Sequence, residues 1–192
     1  MDAGSQTGAQ GITPLYAASA AGQFEVVKLL LESGGDANSR GIEYGSAIHA
    51  AARWRHWNIV NLLIENGADV RSPGGIDKFG TVLHAACWED NVERVNMLLE
   101  HGADVNIRHE GSEYGTPLQI ASHFGHLHLV RFLIEKGADV NERGGKYGTA
   151  LHSASHNGHA EVVKLLLENG ANVNSLAQEP LGASRPYGSE SS

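Results

Sequence analysis

The sequence predicts an all-α solenoid of five stacked helix-turn-helix-loop units. Three observations carry this reading: one block recurs five times at nearly constant spacing, its second half carries apolar residues at i, i+3 and i+4, and each block closes on a glycine. A lone unit of this size has nothing to cover its apolar face, so neighbours must stack into a continuous core.

The copies begin at Thr13, Ser46, Thr81, Thr116 and Thr149, spaced 33, 35, 35 and 33 residues apart. They read TPLYAASAAGQFEVVKLLLESGGDAN, SAIHAAARWRHWNIVNLLIENGADVR, TVLHAACWEDNVERVNMLLEHGADVN, TPLQIASHFGHLHLVRFLIEKGADVN and TALHSASHNGHAEVVKLLLENGANVN.

Each opening hydroxyl stands where an N-cap accepts from an unpaired amide, and Pro14 and Pro117 fill the first helical position, where no amide is missed. A turn follows, with Gly22, Gly125 and Gly158 at a position suited to left-handed backbone. The second helix then commits one face to packing, as in Val26, Val27, Leu29 and Leu30 or Ile59, Val60, Leu62 and Leu63. Gly34, Gly67, Gly102, Gly137 and Gly170 end it. The remaining residues, such as ADVN, lead to a glycine-containing loop.

The TPLY or TALH start, GH turn, VVKLLL helix and GADVN ending resemble the ankyrin repeat over residues 11–174. The loop wording GGKYGTALH is also similar to the repeat variant of large fungal multi-repeat proteins. The resemblance implies an ankyrin-repeat solenoid that binds other proteins through its loop tips and the concave face of its first helices. It divides the chain into a flexible N-terminus (1–10), the repeat domain (11–174) and a Pro-, Gly- and Ser-rich tail (175–192) expected to be disordered.

Function is sought where the copies differ. At the end of the first helix, units one to five carry Ala20 and Ala21, Arg53 and Trp54, Trp88 and Glu89, His123 and Phe124, and His156 and Asn157. In the ankyrin-like arrangement these pairs line the groove, so Arg53, Trp54, Trp88, Glu89, His123, Phe124 and His156 form one ladder of binding candidates. Trp and Arg are the residue types that carry interface energy. The competing reading has Trp54 and Trp88 filling space beside alanines. Arg55 and Asp90 replace the turn glycine, at a backbone cost on the order of 1–2 kcal/mol for arginine, and their opposite charges invite a surface ion pair. In the loops, Ile42, Lys78, Arg108, His109 and Glu113 vary and are candidates for a binding rim. Tyr44, Phe79, Tyr114 and Tyr147 recur before the loop glycine, which suggests aromatics packing loop against loop.

Eleven histidines sort into columns. His49, His84 and His152 sit at the start of the first helix, and His56, His126 and His159 follow the turn; the ankyrin pattern makes both columns structural. His101, His109, His123, His128 and His156 fall outside them. No metal site is expected, because half of the imidazoles in the suggestive spacings are already committed and the single cysteine offers no thiolate set. No nucleophile elbow and no phosphate cradle occurs, and Cys87 lies where alanine or serine stands in other units, so no catalytic residue and no cofactor is assigned. A small-molecule site or unconventional enzyme in the same groove is the alternative function.

Fourteen Lys and Arg against 22 Asp and Glu give a net charge of -8, with the basic residues scattered, so neither nucleic acid nor an anionic membrane is an expected partner. The start MDAGSQTGAQG has no basic or apolar leader, nowhere do 18 apolar residues run together, and Cys87 stands alone. These features suggest a soluble cytoplasmic protein, with the nucleus open as a second site, acting on a protein partner. Neither end of the array is modified towards a polar outer face. The chain is therefore a monomer shielded by its tails, a weak dimer through uncapped ends, or a piece of a longer array.

Overall fold

The computed structural model describes residues 11–41, 45–74, 80–109 and 114–177. The expected flexible N-terminus and most of the expected tail lie outside them, as do Ile42, Tyr44, Lys78, Phe79 and Glu113. The described residues form helix pairs in chain order: α1 (Pro14–Ala20) and α2 (Phe24–Glu32), α3 (Ala47–Arg53) and α4 (Trp57–Glu65), α5 (Val82–Trp88) and α6 (Val92–Glu100), α7 (Pro117–Phe124) and α8 (Leu127–Glu135), and α9 (Ala150–His156) and α10 (Ala160–Glu168). The odd-numbered helices pack in one row and the even-numbered helices in a second. This is the predicted all-α solenoid. Arg40 with Ser46, and Gly144 with Gly148, form isolated antiparallel bridges in the loops. No described helix is long and apolar enough to cross a membrane.

The hydroxyls of Thr13, Thr116 and Thr149 accept from the amides of Tyr16, Gln119 and His152, and Pro14 and Pro117 open their helices. The closing glycines have left-handed backbone, φ +83° to +91°. At the turn, glycine is required twice over: Gly22 and Gly125 have φ +73°, and a Cβ on either would lie 2.5 Å from the ring of His56 or His159 of the next unit. The histidine after one turn thus rests on the glycine of the turn before it.

The core runs without interruption along the array. Ile48, Ile59, Leu63, Leu83, Leu98, Leu118, Leu129, Leu133 and Leu166 are almost wholly buried. Truncating one of these leucines to alanine costs on the order of 2–5 kcal/mol. Two residues of the expected packing face behave differently: Val26 is 46% and Leu29 62% exposed. Their equivalents in later units, such as Ile59, Leu129, Val162 and Leu165, are buried.

Loops are tied to each other by asparagines. The Asn38 side chain donates to Gly67 O (2.9 Å) and accepts from Asp69 N (2.8 Å), and Asn106 and Asn141 repeat this with Gly137 and Asp139, and with Gly170 and Asn172. At the seam between the second and third units the column holds Arg71, which turns back on Asp69 (3.1 Å) instead.

Candidate functional site

The candidate groove lies at the C-terminal ends of the odd-numbered helices, whose backbones are fixed by caps at one end and the turn at the other. Trp54, the C-cap of α3, is 50% exposed, and the Arg53 guanidinium lies over its ring, 5.4 Å from the centroid. Arg55 follows with φ +64°, and Asp90 with φ +54°, so both substituted turns keep the left-handed backbone that the glycines hold elsewhere. The two do not pair with each other. Arg55 Nε meets Glu89 Oε1 at 3.0 Å, whereas Asp90 faces the His126 ring at 3.6 Å, because each reaches the carboxylate or imidazole of the adjoining unit first.

Glu89 is therefore less a groove group than a fastening. Its carboxylate, 11% exposed, accepts from Arg55, from Arg94 and from the Trp57 indole N–H at 2.9 Å. Arg94 also lies over the Trp57 ring, 4.7 Å from the centroid. Sequence reasoning missed Trp57 and Arg94. One signal was present: Arg94 interrupts a column otherwise occupied by Val26, Ile59, Leu129 and Val162, and a charge in an apolar column requires a partner.

From Trp88 onward the groove carries a strip of aromatic rings. Trp88 packs on Phe124 (4.5 Å) and edge-on against Tyr114 (5.3 Å). Tyr114 meets His123 at 4.8 Å, His123 meets Tyr147 at 5.0 Å, and Tyr147 meets His156 at 5.2 Å. Tyr114 and Tyr147 thus pack against the ends of α5, α7 and α9 rather than only loop on loop. Trp88, His123 and Phe124 are half-buried, and His156 is exposed. The two tryptophans differ in setting: Trp54 presents its ring to solvent, whereas Trp88 is built into the strip.

Between the second and third units a cleft of about 170 Å³ is lined by Ala52, Arg53, Arg55, Ala85, Trp88 and Glu89. That is below the range of roughly 300–1,000 Å³ in which drug-sized ligands are enclosed. At the rim, Arg108 pairs with Glu142 at 3.2 Å, and His109 bonds through its amide to Gly115 O.

The first histidine column joins cap to loop. The Nδ1 atoms of His49, His84 and His152 contact the cap hydroxyls of Ser46, Thr81 and Thr149 and accept from their amides. The Nε2–H groups of His49 and His84 donate to Ser72 O and Gly115 O, both at 3.0 Å. Gln119 performs the same task with its amide, donating to Glu142 O and Gly148 O. Burial holds His49 and His84 neutral, lowering each to about 4. In the second column, His159 donates to His123 O at 2.9 Å. Cys87 is buried, and burial pushes its thiol far above the usual range. Among the described residues no three His, Cys, Asp or Glu converge as a metal site would require.

A family model described as ankyrin repeats matches the chain in three copies, over residues 1–74, 43–109 and 83–177. No curated protein matches it.

Proposed function

Because the chain belongs to the ankyrin-repeat family, we propose that it is a non-catalytic module that recognises a protein partner through the groove at the ends of α3, α5, α7 and α9. One observation carries this reading: solvent-facing Trp54, with the partly buried Arg53 over its ring, stands beside a strip of rings from Trp88 through Tyr147 to His156. Aromatic and arginine side chains on capped helices lose little entropy when a partner docks, so their apolar area is realised as affinity. Trp54 and Arg53 anchor one end, the exposed His156 extends the other, and Arg108 and His109 stand at the rim. A reducing compartment such as the cytoplasm suits the chain, since its single cysteine, Cys87, leaves it without an intramolecular disulfide.

A small-molecule or catalytic role in the same groove is the weaker reading. The cleft beside Trp88 is small, and its carboxylate, Glu89, is engaged by Trp57, Arg55 and Arg94.

The test is capture of proteins from an extract of the source cells by the wild-type chain and by a Trp54→Ala/His156→Ala variant of unchanged helical circular dichroism. We expect specific proteins to be lost by the variant. The same set retained by both would move the site to the loop tips. An added mass of a few hundred daltons on the intact chain in native mass spectrometry would replace the proposal with the small-ligand reading.

A further inference from the structure

We propose that copies of this chain stack head to tail, the fifth unit of one on the first unit of the next, by repeating the interface that already joins its own units. This goes beyond the groove and uses different surfaces.

The two end faces are the two halves of one internal seam. Leu31, Ile64, Leu99 and Ile134 occupy one column and are partly buried against the core, but their equivalent in the last unit, Leu167, is 42% exposed. Val70, Val105 and Val140 are buried or partly buried, whereas the matching Val173 is 70% exposed. On the opposite face, Leu62, Met97, Phe132 and Leu165 are buried or partly buried against the core, and the matching Leu29 is 62% exposed. Two adjoining hollows of about 210 and 420 Å³, both lined by Ser155, Val163 and Leu167, mark the last unit's face. They lie on the face that α10 would present to a further even-numbered helix.

Polar groups match as well as apolar ones. The asparagine that ties each loop to the next recurs at Asn174, whose side chain has no partner among the described residues. The groups it would meet, by the spacing of Asn38 with Gly67 and Asp69, are a glycine carbonyl and an amide at the other end of the array. Gly34 O and Asp36 N stand in those columns, and they too lack a partner among the described residues. One end thus offers a side-chain amide and the other the backbone pair it fits. This complementarity, continuous with three seams inside the chain, selects a second copy as the occupant. It also selects a heterologous contact, since neither face complements itself.

Sedimentation velocity of the full chain from micromolar to submillimolar concentration tests this, with Leu29→Glu blocking one face and Leu167→Glu the other. Both side chains are exposed in the single chain, so circular dichroism should show either variant folded. We expect the wild type to form a concentration-dependent series without a fixed upper size. Each variant alone should remain monomeric, while their equimolar mixture should form a pair and nothing larger. Asn174→Ala should weaken association roughly tenfold, as removal of two hydrogen bonds does. A wild type that stays monomeric throughout would overturn the proposal and leave the faces to another occupant, residues 178–192 or a different protein. A single variant that still pairs with itself would overturn it too, in favour of a like-to-like contact.

Discussion

The indole N–H of Trp57 donates to Glu89 of the following unit over 2.9 Å, and that carboxylate also receives Arg55 and Arg94. A carboxylate largely withdrawn from water is tolerable because three donors converge on it. Glu89→Ala leaves those donors without an acceptor and should destabilise the fold by about 2–3 kcal/mol. Trp57→Phe removes one donor and should cost about 1 kcal/mol. The two losses should not add, since both act on one network. Urea denaturation of the single and double variants measures this, and simple additivity would show that the network is not a unit.

His49 and His84 hold folded-state values near 4 against about 6.5 when unfolded. The unfolded chain therefore binds protons that the folded chain refuses between those two values. The stability contributed by the neutral rings is complete above pH 6.5 and is lost as pH falls toward 4, on the order of 3 kcal/mol for each histidine. Gln119 already does this work in the fourth unit without titrating. His84→Gln should therefore preserve the fold at pH 7 and flatten the decline in melting temperature between pH 6.5 and 4.5. An undiminished slope would assign the acid sensitivity to other groups.

Arg71 sits in the asparagine column at the seam between the second and third units. Arg71→Asn should extend the ladder to Gly102 O and Asp104 N and stabilise the protein by about 1 kcal/mol. Thermal denaturation reads the change. A lower midpoint would mean that the ion pair with Asp69 contributes more than two loop hydrogen bonds.

The two groove tryptophans should separate. Trp54, half exposed, should be replaced by alanine for less than about 1 kcal/mol, while Trp88→Ala, which removes a ring from Phe124 and Tyr114, should cost about 2–4 kcal/mol. Trp54→Ala is thus the cleaner probe of binding. Equal costs would mean that Trp54 is buried in solution.

Features repeated in every unit were legible in the sequence. The cap hydroxyl and the closing glycine recur in register in all five units, with a histidine three residues after the cap in three of them, and recurrence exposes a shared backbone requirement. The left-handed turn was legible even at Arg55 and Asp90, where glycine is missing. Their partners were not, because adjacency along the columns does not say whether Arg55 reaches Glu89 or Asp90, which are neighbours in the chain. The Glu89 network leaves no trace in the repeat pattern, since its donors come from the turn after α3, from α4 and from α6, and no other unit repeats it. Tyr114 and Tyr147 share a column in the sequence, yet the direction of their rings depends on the large side chains at the ends of α5, α7 and α9. Position could be read from the repeat; orientation depends on which neighbours happen to be large.

The seam between the second and third units combines two of these departures. At the turn end of the helices it is clamped by Glu89 with Trp57, Arg55 and Arg94, and at the loop end it lacks the asparagine tie that fastens every other seam. Such a joint is bound like a book along one edge, with units one and two as one cover and units three to five as the other. The bound edge is the one beside Trp54 and Trp88, so the proposed anchor residues stand where this seam carries its side-chain clamp.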